Sequence, residues 1–249
     1  MADKLKFIGT ATTIITLGKH KILVDPSFLH SGDRLHLGWG IFSTKQVDPI
    51  FDPTDLEAID LVLLTHNHRD HWDEEATRIL DLSLPIITTD NASSFLKKQG
   101  FSNVQSLSSG QSMIWHELVI TALPAHHGPW FMRPFTGQVI GFGIETEARK
   151  LWISGDTIAT STVKEAVVNY QPDAAIIYFG AVRAYGIRIT FNGGDSLKIV
   201  DQLQQLKKLI GVHIDDWSHF KSDPQQLIKE FASHGLNLQI PKHGSTIEL

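Results

Sequence analysis

Apolar positions along the chain alternate between two rhythms. Leu5–Gly9, Thr12–Leu17 and Lys21–Asp25 are short runs rich in β-branched and apolar residues, separated by Gly9 and by Gly18-Lys19. They read as three strands, the last ended by Asp25-Pro26, since proline cannot continue a ladder. Leu61–Thr65 is continuously apolar up to its last residue, as expected of a strand buried on both faces. A helix is predicted over Trp72–Leu82, then a strand at Pro85–Thr88, a helix at Asn91–Gln99 stopped by Gly100, and a strand at Val104–Leu107. The second half repeats this content. Strands are expected at Leu118–Leu123 and Ala174–Phe179, a hairpin at Val139–Glu145 and Leu151–Ser154, and a helix at Val163–Asn169. Ile199, Leu203, Leu206 and Ile210 recur at helical spacing and predict an amphipathic helix over Asp195–Lys208. A strand at Leu209–His213, a helix at Pro224–His234 and strands at Leu236–Ile240 and Thr246–Leu249 complete the pattern. Residues 29–53 have little periodicity, which marks either a surface insertion or a functional loop.

The order is strands, helices, strands, helices, in two halves of similar content. No Pro/Ser linker or charge run separates them, so residues 1–249 are expected to form a single domain of the α/β class. The start of the chain lacks the apolar core of a signal peptide, and no run reaches the roughly 20 apolar residues of a membrane span. A cytoplasmic location is therefore the expectation, and a homo-oligomer is compatible with the sequence. The net charge of −5 argues against a nucleic-acid partner. Cysteine is absent, so any metal site must use His, Asp, Glu, backbone or water oxygen.

Thirteen histidines stand among 249 residues, and their positions carry the chemistry. His66-Asn67-His68-Arg69-Asp70-His71 follows directly on the apolar run 61–65. Four ligand-type side chains within six residues are too many for one tetrahedral ion to use easily, and dividing them between two ions relieves the strain. Further candidates lie at later strand ends: His126 and His127 after Pro124-Ala125, Asp156 after Gly155, and His213 after Leu209–Val212. Imidazole and carboxylate suit Zn²⁺ first, with Mn²⁺ or Fe²⁺ as alternatives. Two such ions about 3.5–4 Å apart can hold a bridging hydroxide near neutral pH and polarise the bond to be cleaved.

The H-x-H-x-D-H string after a strand resembles the metallo-β-lactamase-fold hydrolases. Phe7–Ile14 and Ile22–Pro26 are similar to that superfamily's opening motif. The resemblance implies an αβ/βα four-layer sandwich of two mixed β-sheets flanked by helices. It also implies a metal-dependent hydrolase with two divalent ions. By resemblance His66, His68 and His127 hold one ion, Asp70, His71 and His213 the other, and Asp156 bridges them. Asp25 supports the site from behind, and Asp70 is the expected catalytic proton carrier. Pro124–His127 is similar to the Pro-Ala-x-His of the branch containing L-ascorbate-6-phosphate lactonase-like and N-acylphosphatidylethanolamine phospholipase D-like enzymes. The substrate expected is a small ester, lactone, amide or phosphodiester. A nuclease of the same fold, or a metal-binding or ligand-sensing protein without turnover, is the alternative.

Several residues carry open readings. His243, in His-Gly-Ser-Thr, is one residue out of register with the His-x-Gly-Thr string of phospholipase D-like relatives and is the rival to His213. His20, His30, His36, His116, His219 and His234 are expected at the surface. Asp215 and Asp216 either orient His213 or remain solvated. Arg133, Arg183 and Arg188 are surface residues or contacts for an anionic substrate group. Trp130, Phe131 and Phe135 either roof the site or pack. Segments 29–53, with Trp39, and 129–136 are expected to set substrate choice.

Overall fold

The structure, a computed structural model, describes residues 3–37 and 42–249. Trp39, expected to help choose the substrate, lies outside the described residues. The chain forms two compact units. The first comprises Met1–Ser106, Asp215–Lys221 and Pro241–Leu249; the second comprises Leu107–Ile214 and Ser222–Ile240.

In the first unit, seven strands form a mixed sheet. Their spatial order is Thr246–Glu248, Lys4–Gly9, Thr12–Leu17, His20–Val24, Leu61–Leu63, Ile86–Thr88 and Val104–Ser106. The pairings are antiparallel as far as His20–Val24 and parallel beyond it. Helices Glu74–Ile79 and Asp90–Lys98 follow the parallel strands. Leu23, Val62, Ile86, Trp72, Ala76, Leu96 and Phe101 belong to one buried cluster, so the apolar runs and the helical stripe share a core. Asp73 caps the first helix by accepting from the Ala76 N–H, and Thr89 caps the second through Ala92.

In the second unit the plan repeats with the same count. The order is Leu238–Gln239, Lys208–Val212, Ala174–Tyr178, Lys150–Ile153, Ile140–Glu145, Leu118–Pro124 and Ser112–Trp115. Here the first four strands are parallel and the rest antiparallel. Helices Ser161–Tyr170, Gly193–Val200 and Pro224–Ser233 complete the unit. Trp152, Val163, Val167, Leu197, Leu227 and Phe231 share its core. Each unit thus has a mixed sheet with helices, as expected.

Three readings of the sequence are corrected. The helix expected over 195–208 is Gly193–Val200 only. After it the chain turns so that Lys207 and Lys208 donate to the Asp173 carbonyl, which starts the strand Lys208–Val212 early. Leu203 remains buried outside the helix, so its place in the helical spacing records burial and not helix. His20 is buried, because it begins a strand opposite Leu17 and does not sit in a loop. Residues 29–53 are not bare loop: Arg34–His36 and Phe42–Thr44 pair antiparallel, and Pro53–Leu56 is a 3₁₀ turn.

Lys45, at the end of that segment, is buried. Its Nζ donates to Thr10 Oγ1 and, at 2.9 Å, to Asp216 Oδ2. Asp216 also accepts from the Thr10 N–H and pairs with His243 Nε2 at 3.0 Å. It is therefore neither solvated nor turned to His213. Burial pushes the Asp216 carboxyl upward, but the hydrogen bond from His243 and the charge of Lys45 outweigh it and hold the group well below its ordinary value. A carboxyl depressed in the folded state adds stability above its unfolded pKa and loses it as pH falls through the folded value. Removing Lys45 leaves a buried carboxylate with less compensation. Lys45→Met should therefore cost about 3 kcal/mol in urea unfolding at neutral pH, with the deficit shrinking below pH 3.8. A variant as stable as the parent at neutral pH would show the pair to be energetically idle.

Candidate metal centre

The first unit carries His66, His68, Asp70 and His71 on the turn that follows strand Leu61–Leu63. His71 N–H and Trp72 N–H both donate to the His68 carbonyl, closing the turn. Trp72 then inserts into the core and anchors its far end. The rings gather closely: His66 lies 4.4 Å from His68 and 4.1 Å from His71 between centroids. His71 Nε2 is 4.0 Å from Asp70 Oδ2. His66, Asp70 and His71 are buried and His68 is half-buried.

Asp25 fixes this set from behind. It is fully buried, at the carboxyl end of the strand parallel to Leu61–Leu63. Its Oδ1 accepts from the Thr65 N–H at 2.7 Å, and its Oδ2 accepts from Thr65 Oγ1 at 2.8 Å and from His71 Nδ1 at 2.9 Å. Since Thr65 Oγ1 donates to Asp25, it is an acceptor for His66 Nδ1, 3.0 Å away. In both histidines the proton therefore sits on Nδ1, and Nε2 is the basic nitrogen a metal requires. Asp25 itself has φ of +45°, a conformation that non-glycine residues hold only where the surroundings impose it.

The second unit carries His127, Asp156 and His213, each just beyond a strand end. His127 Nδ1 donates to the Ile189 carbonyl at 2.8 Å, again leaving Nε2 basic. That nitrogen is 3.6 Å from Asp156 Oδ2, while His213 Nδ1 is 3.7 Å from Asp156 Oδ1. The Asp156 carboxylate thus faces one imidazole with each oxygen. Gly155, at φ +59°, turns it there. His213 has φ +58° and stacks on Tyr178 at 5.6 Å. Gly180 packs closely on the ring: a Cβ there would stand 3.1 Å from His213 Nδ1 and push on it.

The neighbours divide cleanly. His126 is turned to Thr160 Oγ1 and to Arg133, at 2.8 and 3.0 Å. Arginine can only donate, so His126 Nε2 accepts and its Nδ1 carries the proton. Burial first, and then the Arg133 charge, hold its pKa below the ordinary imidazole value. His243 is bound to Asp216 in the first unit, with its ring 4.8 Å from Phe7. Trp130, Phe131 and Phe135 are exposed. The sequence reading missed Thr65 and Ile189. Thr65 is signalled by a hydroxyl directly before the motif, whereas a backbone carbonyl leaves no trace in sequence.

Three kinds of comparison bear on the chain. A family model described as the beta-lactamase superfamily domain matches residues 20–214. A UPF0173 metal-dependent hydrolase of Christiangramia forsetii is 27% identical over 247 residues, covering 99% of this chain and 100% of that protein. Among solved structures, a possible metal-dependent hydrolase from Veillonella parvula superposes with a TM-score of 0.90 at 24% identity, over all of both chains. An isothiocyanate hydrolase from Delia radicum gut bacteria gives 0.88 at 23% identity, over 99% of each. At these identities the two structures speak for the fold.

The orienting bonds make two expectations. Asp25→Ala should weaken metal binding roughly 10- to 100-fold, read by chelator competition, while the fold is retained; undiminished affinity would remove Asp25 from the site. His127→Ala should lose metal and His126→Ala should keep it. The reverse result would move the ligand by one residue.

Proposed function

The chain belongs to the beta-lactamase superfamily, and from that premise we propose a dinuclear centre that hydrolyses a small ester, lactone, amide or phosphodiester. The chain is a metal-dependent hydrolase of the metallo-β-lactamase superfamily. The donor set supports the dinuclear centre. The combinations suited to an ion are His66, His68 and His127; His66, His71 and Asp156; and Asp70, His71 and His213. They support the division expected from the sequence, in which His66, His68 and His127 would hold one ion, Asp70, His71 and His213 the other, and Asp156 would contribute its carboxylate; on this reading residues 1–249 act as one hydrolase domain. Nitrogen and carboxylate donors without thiolate fit Zn²⁺, with Mn²⁺ or Fe²⁺ as alternatives.

When bound, the ions supply an activated water and polarise the group under attack. The residues of the chain do the rest. Asp25 and Ile189 hold the imidazoles of His71 and His127 in the ligating tautomer. Asp156 keeps one oxygen toward each of two imidazoles. Asp70, ligand and proton carrier, takes the proton from the attacking water and returns it to the leaving group. Trp130, Phe131 and Phe135, exposed just after His127, offer an apolar substrate a surface.

Reconstituted protein should bind two equivalents of Zn²⁺ or Mn²⁺ by elemental analysis. It should turn over at least one member of a panel comprising an ester, a lactone, an amide, a phosphodiester and, given the structural neighbour, an isothiocyanate. Asp70→Asn should lower kcat by about 100-fold or more. Protein that takes up no metal after reconstitution would end this reading. Trp130→Ala should raise KM with metal content constant; unchanged kinetics on every substrate turned over would exclude the aromatic segment from recognition.

A further inference from the structure

Arg183–Ala184 and Ile187–Arg188 form a two-stranded ribbon in the second unit, closed by Tyr185 and Gly186. Both turn residues have positive φ, +51° and +80°, the geometry of a tight type I′ hairpin. Tyrosine rarely adopts it, so the turn is strained. Arg183 Nη1 braces it by donating to the Gly186 carbonyl at 2.6 Å. The register sets Arg183 directly opposite Arg188. Directly opposed residues share one face of a ribbon, and like charges there repel. Among the described residues no carboxylate pairs with Arg183, Arg188 or Arg133. A chain with a net charge of −5 has ample acid to neutralise them, yet none is placed there.

The ribbon is fastened to the metal-ligand end of its own unit. The residue after Arg188 is Ile189, whose carbonyl orients His127. Gly128 follows His127, and a Cβ on it would come within 2.9 Å of Ile189 Cγ2 and 3.3 Å of Met132 Cβ. The ribbon and the segment bearing Arg133 therefore close on the same glycine. Arg133 is held from below by His126, whose accepting nitrogen leaves the remaining guanidinium donors for another partner.

We propose that Arg183 and Arg188, with Arg133, form an anion-binding subsite beside His127 that takes a carboxylate or phosphoryl group of the substrate. The paired arginines repel each other until an oxyanion lies between them, and charge-assisted hydrogen bonds to a planar or tetrahedral oxyanion are what guanidinium provides. The subsite rests on the hydrolase reading for its role in substrate choice, but not for its capacity to bind an anion. The substrate is then a small hydrolysable compound with a permanent negative charge set apart from the bond that is cleaved.

The test uses the metal-loaded full chain and calorimetric titration with benzoate, phenyl phosphate and neutral benzamide. The parent should bind at least one anion roughly tenfold tighter than benzamide, the loss expected for charge-assisted hydrogen bonds. The preference should weaken at high salt, and the tighter of the two anions identifies the group. Arg183→Gln with Arg188→Gln should abolish the preference, and the double lysine variant should restore part of it. The glutamine variant loses both the Arg183–Gly186 brace and the Arg183–Arg188 repulsion, so its Tm is measured alongside and binding is compared well below it, where lost binding cannot be blamed on unfolding. An anion preference that survives in the glutamine variant would mean that the metals alone hold the anion, and would overturn the proposal, as would a parent with no preference. In parallel, mono-4-nitrophenyl succinate and 4-nitrophenyl acetate are compared as substrates. The variant should lose roughly tenfold in kcat/KM for the succinate relative to the acetate, through KM. If neither ester is cleaved but the binding preference holds, the ester reading fails and the subsite stands.

Discussion

Asp25 is fully buried, and the first unit's cluster of ligand-type histidines depends on keeping its carboxylate satisfied. A buried carboxylate without partners would cost several kcal/mol. Three donors meet it: the Thr65 amide, the Thr65 hydroxyl and His71 Nδ1. Those bonds tie the end of one parallel strand to the start of the next loop and fix the tautomers of two histidines. Two adjacent parallel strands must therefore end level, as Val24 and Leu63 do in register. The loop 66–71 inherits its position from that alignment.

The second unit meets the same requirement in another way. Its neutral carbonyl acceptor, Ile189, replaces the carboxylate, and its aspartate moves from behind a histidine to a position between two of them. Asp25 follows the last strand of an antiparallel meander, and so does Asp156. The two units thus each place an aspartate after such a strand, one bonded to Thr65 and His71 and the other facing two imidazoles. Two of the residues involved, Asp25 and His213, hold positive φ, a conformation that persists only where the surroundings impose it.

Much of this could be read from the sequence because the signals were local. The string 66–71 after an apolar run, Gly155-Asp156, and His213 after Leu209–Val212 each combine a strand end with a ligand-type residue. The elements that misled were those decided at a distance. Leu203 kept helical spacing, but the pull of the Asp173 carbonyl on Lys207 and Lys208 ended the helix at Val200. Lys45, Asp216 and His243 lie up to 198 positions apart, so their cluster has no local pattern. The ribbon 183–188 is too short to show alternation, and its Tyr-Gly turn lacks the usual Asn-Gly or Asp-Gly cue.

The first unit is completed by segments that lie late in the chain. Strand Thr246–Glu248 pairs with Lys4–Gly9, and Asp216 neutralises Lys45. During vectorial synthesis the strand Lys4–Gly9 must therefore wait for residues 246–248 to emerge before its outer edge is covered. Until then its unpaired backbone is open to wrong partners and Lys45 has no counter-charge. Strand Thr246–Glu248 supplies none of the candidate site residues, yet it covers the backbone edge that Lys4–Gly9 would otherwise leave open.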